Sequence, residues 1–372
     1  MDEKILTEQM VNNSAENVNV AAGGIIVEED KATVVKRQRK FFSAVGIRYF
    51  ILTIVIMVAQ LLVMNLVAYF APDFYARWTN AVSLLPITVV GLPVAYLLMK
   101  KVEKAPVIEQ KFKFGVKQLI PFFFIAYAVM IGANLISTII NMVIAAAAQR
   151  EATTVVATML SSSDILQNTV MVVILAPILE EFLFRKFLID RFSRFGEGVA
   201  VLVSALMFGF YHGNIVQFIY ATALGLVLGY VYAKSRKVVF TILIHVFVNF
   251  LGSTLPMLVL GNIDVNDIME KITSFGVTNP EGLMKYMEEN AGSIAIYYGY
   301  SMFVSGIVIA GIVLGIITLV RHIKRKNMLL PGAEKLVKGK RFATIVGNVG
   351  MILFIVIWTG MMIFTIIGSY FV

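Results

Sequence analysis

The chain has 372 residues, 59% of them hydrophobic and only 15% charged, a balance that excludes a soluble globular domain of this length and marks a polytopic membrane protein. Its net charge of +9 does not point to nucleic acid, because Lys and Arg cluster beside apolar runs, as they do in cytoplasmic loops. The absence of cysteine excludes disulfides, thiolate catalysis and a Cys-ligated metal.

Residues 1–40 are first acidic (Asp2, Glu3, Glu8) and then basic (Lys36, Arg37, Arg39, Lys40). They lack the short apolar core of a cleaved signal peptide and are expected to form a mobile cytoplasmic tail. N-terminal transmembrane helices are expected over 41–148, in apolar runs at 44–70, 81–99 and 119–147, since a bilayer core takes about 20 helical residues. The polar stretch 150–166 reads as an external loop, with Ser161, Ser162, Ser163 and Asp164 as candidate caps for the helix that follows.

A catalytic transmembrane core is expected over 165–260, with spans at 167–190, 216–233 and 239–260 and a shorter one at 199–212. An acidic loop, 261–293, reads as a partly helical extracytoplasmic cap, and 294–372 carries two further spans, 294–320 and 343–371. The expected fold class is therefore all-α, a polytopic membrane protein with about nine transmembrane helices around an intramembrane active site. Nine spans put every basic cluster on one side, with the N-terminus cytoplasmic and the C-terminus extracytoplasmic.

Within the core, Glu180 and Glu181 sit side by side in an apolar run, and an ionisable group at membrane depth costs roughly 3 kcal/mol on insertion scales. At about 100° per residue Glu181 shares a face with Arg185 and can pair with it, whereas Glu180 points to the neighbouring face and stays available for chemistry. Pro177 is expected to bend this helix and free a backbone carbonyl, and irregular backbone at membrane depth needs protein or a wet cavity beside it.

Of three histidines, His322 lies among basic residues at a helix end and reads as interfacial. His212 and His245 lie in apolar runs, His245 with Asn249 one turn on. Buried polar groups need partners, so three helices are expected to converge on the glutamates. Glu180 could then take a proton from water, His212 could orient that water, and His245 with Asn249 could donate to a developing oxyanion. Phe208, one turn before His212, reads as packing. Measured from its helix start His212 is about 20 Å deep, deeper than Glu180 or His245, so its helix must start lower or tilt.

EEFLFR (Glu180, Glu181, Arg185), FGFYH (Phe208, His212) and HVFVN (His245, Asn249) resemble the EExxxR, FxxxH and HxxxN/B motifs of the CPBP family, the CAAX proteases and bacteriocin-processing or abortive-infection enzymes. The resemblance covers roughly 165–255. It implies an intramembrane endopeptidase related to the type II CAAX prenyl endopeptidases. In that reading Glu180 and His212 activate water, His245 and Asn249 stabilise the oxyanion, and Glu181, Arg185 and Phe208 are structural or orienting. The implied partners are a membrane-associated peptide or protein substrate and the lipid bilayer, with roles in peptide processing or bacteriocin immunity, and the chain suits a bacterial plasma membrane.

No cofactor is expected, with zinc on His212, His245 and Glu180 as the alternative; the HExxH signature is absent. The competing functions are a proton- or ion-coupled transporter, against which no inverted repeat is found, and a catalytically silent scaffold or regulator.

Overall fold

The computed structural model describes residues 18–20, 26–107, 110, 114–150, 164–324 and 329–371. A two-stranded antiparallel hairpin, β1 (Val18–Val20) and β2 (Ile26–Glu28), precedes an otherwise helical chain. Helix α1 runs Lys31–Phe70, so the stretch expected to end as tail at residue 40 is helical from Lys31 onward. It is followed by α2 (Pro72–Val89) and α3 (Gly91–Met99), which together form one span kinked at Trp78, and by α4 (Val116–Ala147).

The glutamate-bearing stretch, 165–192, is a continuous helical path here called α5, built of Ile165–Asn168, Thr169–Leu175, Ala176–Glu180, Glu181–Ile189 and Asp190–Phe192. Its second and fourth pieces are π-helical. Then come α6 (Glu197–Tyr211), α7 (Ile215–Ser235) and α8 (Val238–Leu260), the last with a π-helical piece at Phe250–Thr254. The acidic segment folds into two amphipathic helices, α9 (Val265–Thr278) and α10 (Pro280–Glu289). Helix α11 (Ala291–Lys324), the short α12 (Arg341–Ile345) and α13 (Val349–Tyr370) complete the chain.

Among the described residues seven helices are long and apolar enough to cross a bilayer. The two other expected spans are α5, whose path is divided by π-helical geometry, and α6, whose 15 residues reach about 22 Å of a core about 30 Å thick. Asp164 caps α5 by accepting from the Gln167 N–H at 3.0 Å, while Ser161, Ser162 and Ser163 lie outside the described residues. Asp264 and Asn279 cap α9 and α10 in the same way, and Tyr286 Oη donates to Asp267 at 2.7 Å, tying the two helices together.

Two apolar clusters hold the bundle. One gathers α5 and α6 with the first half of α1 and with Met351, Phe354 and Trp358 of α13; the other lies between α4, α7 and α8. Helix crossings are made close by small residues, as expected where lipid supplies no hydrophobic drive for association. Gly225 and Gly229 of α7 meet Ala205 and Val201 of α6, and Gly46 of α1 meets the backbone of Gly350 of α13.

A Cβ at Gly350 would lie 2.0 Å from the Ser43 carbonyl oxygen, backbone that no rotamer change can move, whereas a Cβ at Gly360 on the same helix meets nothing within 4 Å. Gly350→Ala should lower stability by about 1–3 kcal/mol. Gly360→Ala should leave it unchanged, and thermal unfolding of both variants in detergent reads the difference.

Candidate active site

Helices α5, α6 and α8 bring the three motifs together. Glu181 and Arg185 are both fully buried and form the expected ion pair, Nε to Oε2 at 3.1 Å. Glu181 has a second partner that its own helix does not reveal: Oε1 accepts from Nδ1 of His245 at 2.9 Å. That contact assigns the proton of neutral His245 to Nδ1 and turns Nε2 toward Glu180, whose Oε2 lies 3.6 Å away. The result is a buried relay, Arg185–Glu181–His245–Glu180, in which Glu181 orients the histidine and Glu180, with 15% of its side chain exposed, sits at the open end.

His212 closes the site from α6. Its Nδ1 sits 2.9 Å from the Phe208 carbonyl, so Nδ1 carries the proton and Nε2 is the free nitrogen. His212 lies within electrostatic reach of both Glu180 and His245.

Phe208 is the common wall. Its ring meets His212 edge-on at 4.9 Å and His245 at 5.7 Å, and the Arg185 guanidinium lies over it at 4.4 Å. The cation–π contact matters because Arg185 Nη1 and Nη2 are buried with no hydrogen-bond acceptor among the described residues.

Asn249 is placed differently from the expectation of a free oxyanion donor. Its Nδ2 donates to the Val172 carbonyl at 2.9 Å. The backbone explains why: in the π-helical stretch Ala176 N–H donates to Met171 O, so the next bond in that register would run from residue 177 to Val172. Residue 177 is proline and has no N–H to give. Asn249 therefore caps the carbonyl that Pro177 leaves free, and keeps one further N–H for the site.

Other anchors gave no sequence signal. Leu183 O and Phe184 O, in the π-helical piece that carries Glu181 and Arg185, accept from Tyr49 Oη at 2.5 Å and Ser204 Oγ at 2.6 Å. Behind Asn249, Asn168, Thr169, Ser253 and Thr254 form a buried hydrogen-bonded group joining α5 to α8. Tyr211 and Tyr220 lie within electrostatic reach of Glu180, Tyr211 packed between Phe184 and Trp358. Tyr211 stands beside His212 in FGFYH, a hint that position alone could have supplied. His322 is remote from these groups in its contacts: its Nδ1 meets Tyr230 Oη at 2.6 Å.

Residues 162–251 match the family model described as Type II CAAX prenyl endopeptidase Rce1-like. The match supports membership of the CAAX protease, or CPBP, family. Glu180, Glu181, Arg185, Phe208, His212, His245 and Asn249 all fall inside it. No curated protein and no solved structure matches the chain. Among the described residues no group of three or more His, Asp and Glu side chains is arranged to hold a metal ion.

Glu181→Gln should destabilise strongly, by about 3–5 kcal/mol, because it leaves a fully buried guanidinium unpaired. Asn249→Ala should cost about 1–3 kcal/mol by orphaning the Val172 carbonyl. Glu180→Gln should melt like the parent protein. Thermal melts of the three purified variants test the ranking.

Proposed function

We propose that the chain is an intramembrane endopeptidase that hydrolyses a peptide bond in a membrane-associated peptide or protein, using water activated by Glu180 and His212. The observation that carries this reading is the Glu181–His245–Glu180 relay, with His212 across from it, at the meeting of three apolar helices. A purely structural ion pair would need only Glu181 and Arg185; it gives no reason for a second carboxylate and two histidines whose Nδ1 atoms are both held.

Glu180 takes a proton from water while His212 Nε2 accepts the water's other hydrogen bond, and the oxygen attacks the scissile carbonyl carbon. Charge then develops on the carbonyl oxygen, where this reading assigns the remaining Asn249 N–H and Nε2 of His245 as donors. His245 donates there as an imidazolium already protonated at Nε2 before water attacks, a form that the Glu181 carboxylate on Nδ1 stabilises as the acid of a catalytic triad does, and it keeps both protons throughout the step. The proton held on Glu180 passes to the leaving nitrogen as the C–N bond breaks. Every atom is accounted for without a metal, so activity is expected to survive chelation.

The basic clusters beside the apolar runs, which nine spans gather on one side, support a cytoplasmic N-terminus, an extracytoplasmic C-terminus and a plasma-membrane location, with α9 and α10 as a cap on the far side from substrate entry. Peptide processing or bacteriocin immunity is the physiological setting that fits such an enzyme.

Glu180→Gln should lower turnover by about 10²–10⁴-fold while the protein stays folded. Comparing membrane peptides from cells carrying the parent protein and the variant should show uncleaved species only with the variant; identical peptide sets would remove the peptidase reading. Full loss of activity on chelation, restored by one zinc per chain, would recast Glu180, His212 and His245 as ligands. For topology, a Cys placed at Glu288 in this Cys-free chain should react with an impermeant reagent only from outside, and labelling only from the cytoplasm would invert the orientation.

A further inference from the structure

A cleft of about 660 Å³ opens at the N-terminal end of α1 and shares no lining residue with the Glu180 site. Five cations line it: Lys31, Lys36 and Arg39 from α1, and Lys338 and Lys340 from the segment before α12. Its remaining walls are Ala32, Val35 and Val337, and among the described residues no carboxylate lines it.

The cations beside the cleft have carboxylate partners, and those inside it have none among the described residues. Arg37 pairs with Glu29 at 3.3 Å and Glu334 at 3.4 Å, and Arg194 pairs with Glu103 at 3.3 Å. None of the four lysines in the cleft has a carboxylate within ion-pair distance among the described residues. The wall that carries Lys338 and Lys340 is fixed: Leu336 is buried, Gln38 Nε2 donates to Lys335 O at 3.0 Å, and Lys340 N donates to Val337 O at 3.1 Å. Arg39 donates to the Gly347 carbonyl, which ties the cleft to the start of α13. Like charges held together by fixed backbone repel unless an anion sits among them.

Depth selects the anion. The cleft ends where the apolar run of α1 begins at Phe41 and where α13 enters at Val349, the level of phospholipid headgroups. A cluster of this size beside a membrane helix is the chemistry that recognises a phosphate-bearing lipid, and Ala32, Val35 and Val337 offer apolar contact to the glycerol and upper chains below the phosphate. We propose that this cleft binds the phosphate of an anionic phospholipid.

The full chain, purified in nanodiscs of phosphatidylcholine with or without phosphatidylglycerol, tests the site by native mass spectrometry of the lipid retained. The parent protein should keep phosphatidylglycerol in preference to phosphatidylcholine. The variant Lys31→Gln, Lys36→Gln, Lys338→Gln, Lys340→Gln should lose that retention by about ten-fold or more, with its melting temperature in pure phosphatidylcholine unchanged. If the four-site variant fails to fold, Lys36→Gln with Lys338→Gln is read the same way, with a smaller loss expected. Equal retention of both lipids by the parent, or undiminished retention by the folded variant, would overturn the proposal. Displacement of the lipid by millimolar inorganic phosphate would assign the cleft to a soluble anion instead.

Discussion

A fully buried guanidinium in a bundle of apolar helices is the constraint on which the arrangement turns. Arg185 can be held there only if a carboxylate meets it, and Glu181 does so at 3.1 Å. That carboxylate then recruits His245 from a different helix, and His245 in turn reaches Glu180. Each partner is needed to make the previous one tolerable, so α5 and α8 are fixed in register by charge as well as by packing. The Phe208 ring serves the same end from α6, giving the guanidinium a π-face where it has no acceptor among the described residues.

The backbone solves a parallel accounting problem. A π-helical turn with a proline after it leaves a carbonyl without its donor at a depth where water is scarce. Asn249 fills the vacancy at Val172, and Tyr49 and Ser204 bond the carbonyls of the second π-helical piece. These bonds hold α5 in a widened form that regular α-helix would not keep. The consecutive glutamates keep ordinary helical dihedrals, so one turns to Arg185 and the other to the partly open end.

How much of this is legible in the sequence depends on the range of the signal. Apolar length and basic flanks are local, so the helical stretches and the all-α class follow from them. The i, i+4 pairing of Glu181 with Arg185 lies on one helix and is equally local. The Glu181–His245 bond joins residues 64 positions apart, and nothing in the periodicity of either helix announces it. Pro177 announces a freed carbonyl but not which side chain takes it, and so Asn249 reads from sequence as a donor with both hands free. Hydropathy also fails at α1, where charged Lys31 to Lys40 continue the helix because packing by Val34, Gln38 and Phe42 outweighs their polarity.

The crossing of Gly46 with Gly350 joins the first long helix to the last. Phe42, Tyr49 and Leu52 share a cluster with Met351, Phe354 and Trp358, and Tyr49 is also the donor to Leu183 in the helix of the glutamates. During synthesis the chain emerges from its N-terminus, so α1 enters the bilayer some 300 residues before the surface it packs against exists. Until α13 arrives, one face of α1 has only lipid or a chaperoning partner beside it. Completion of the bundle is thus a closing step in time as well as in space, and a ribosome that stops short of α13 releases a chain whose glutamate pair is already inserted but whose outer brace is missing.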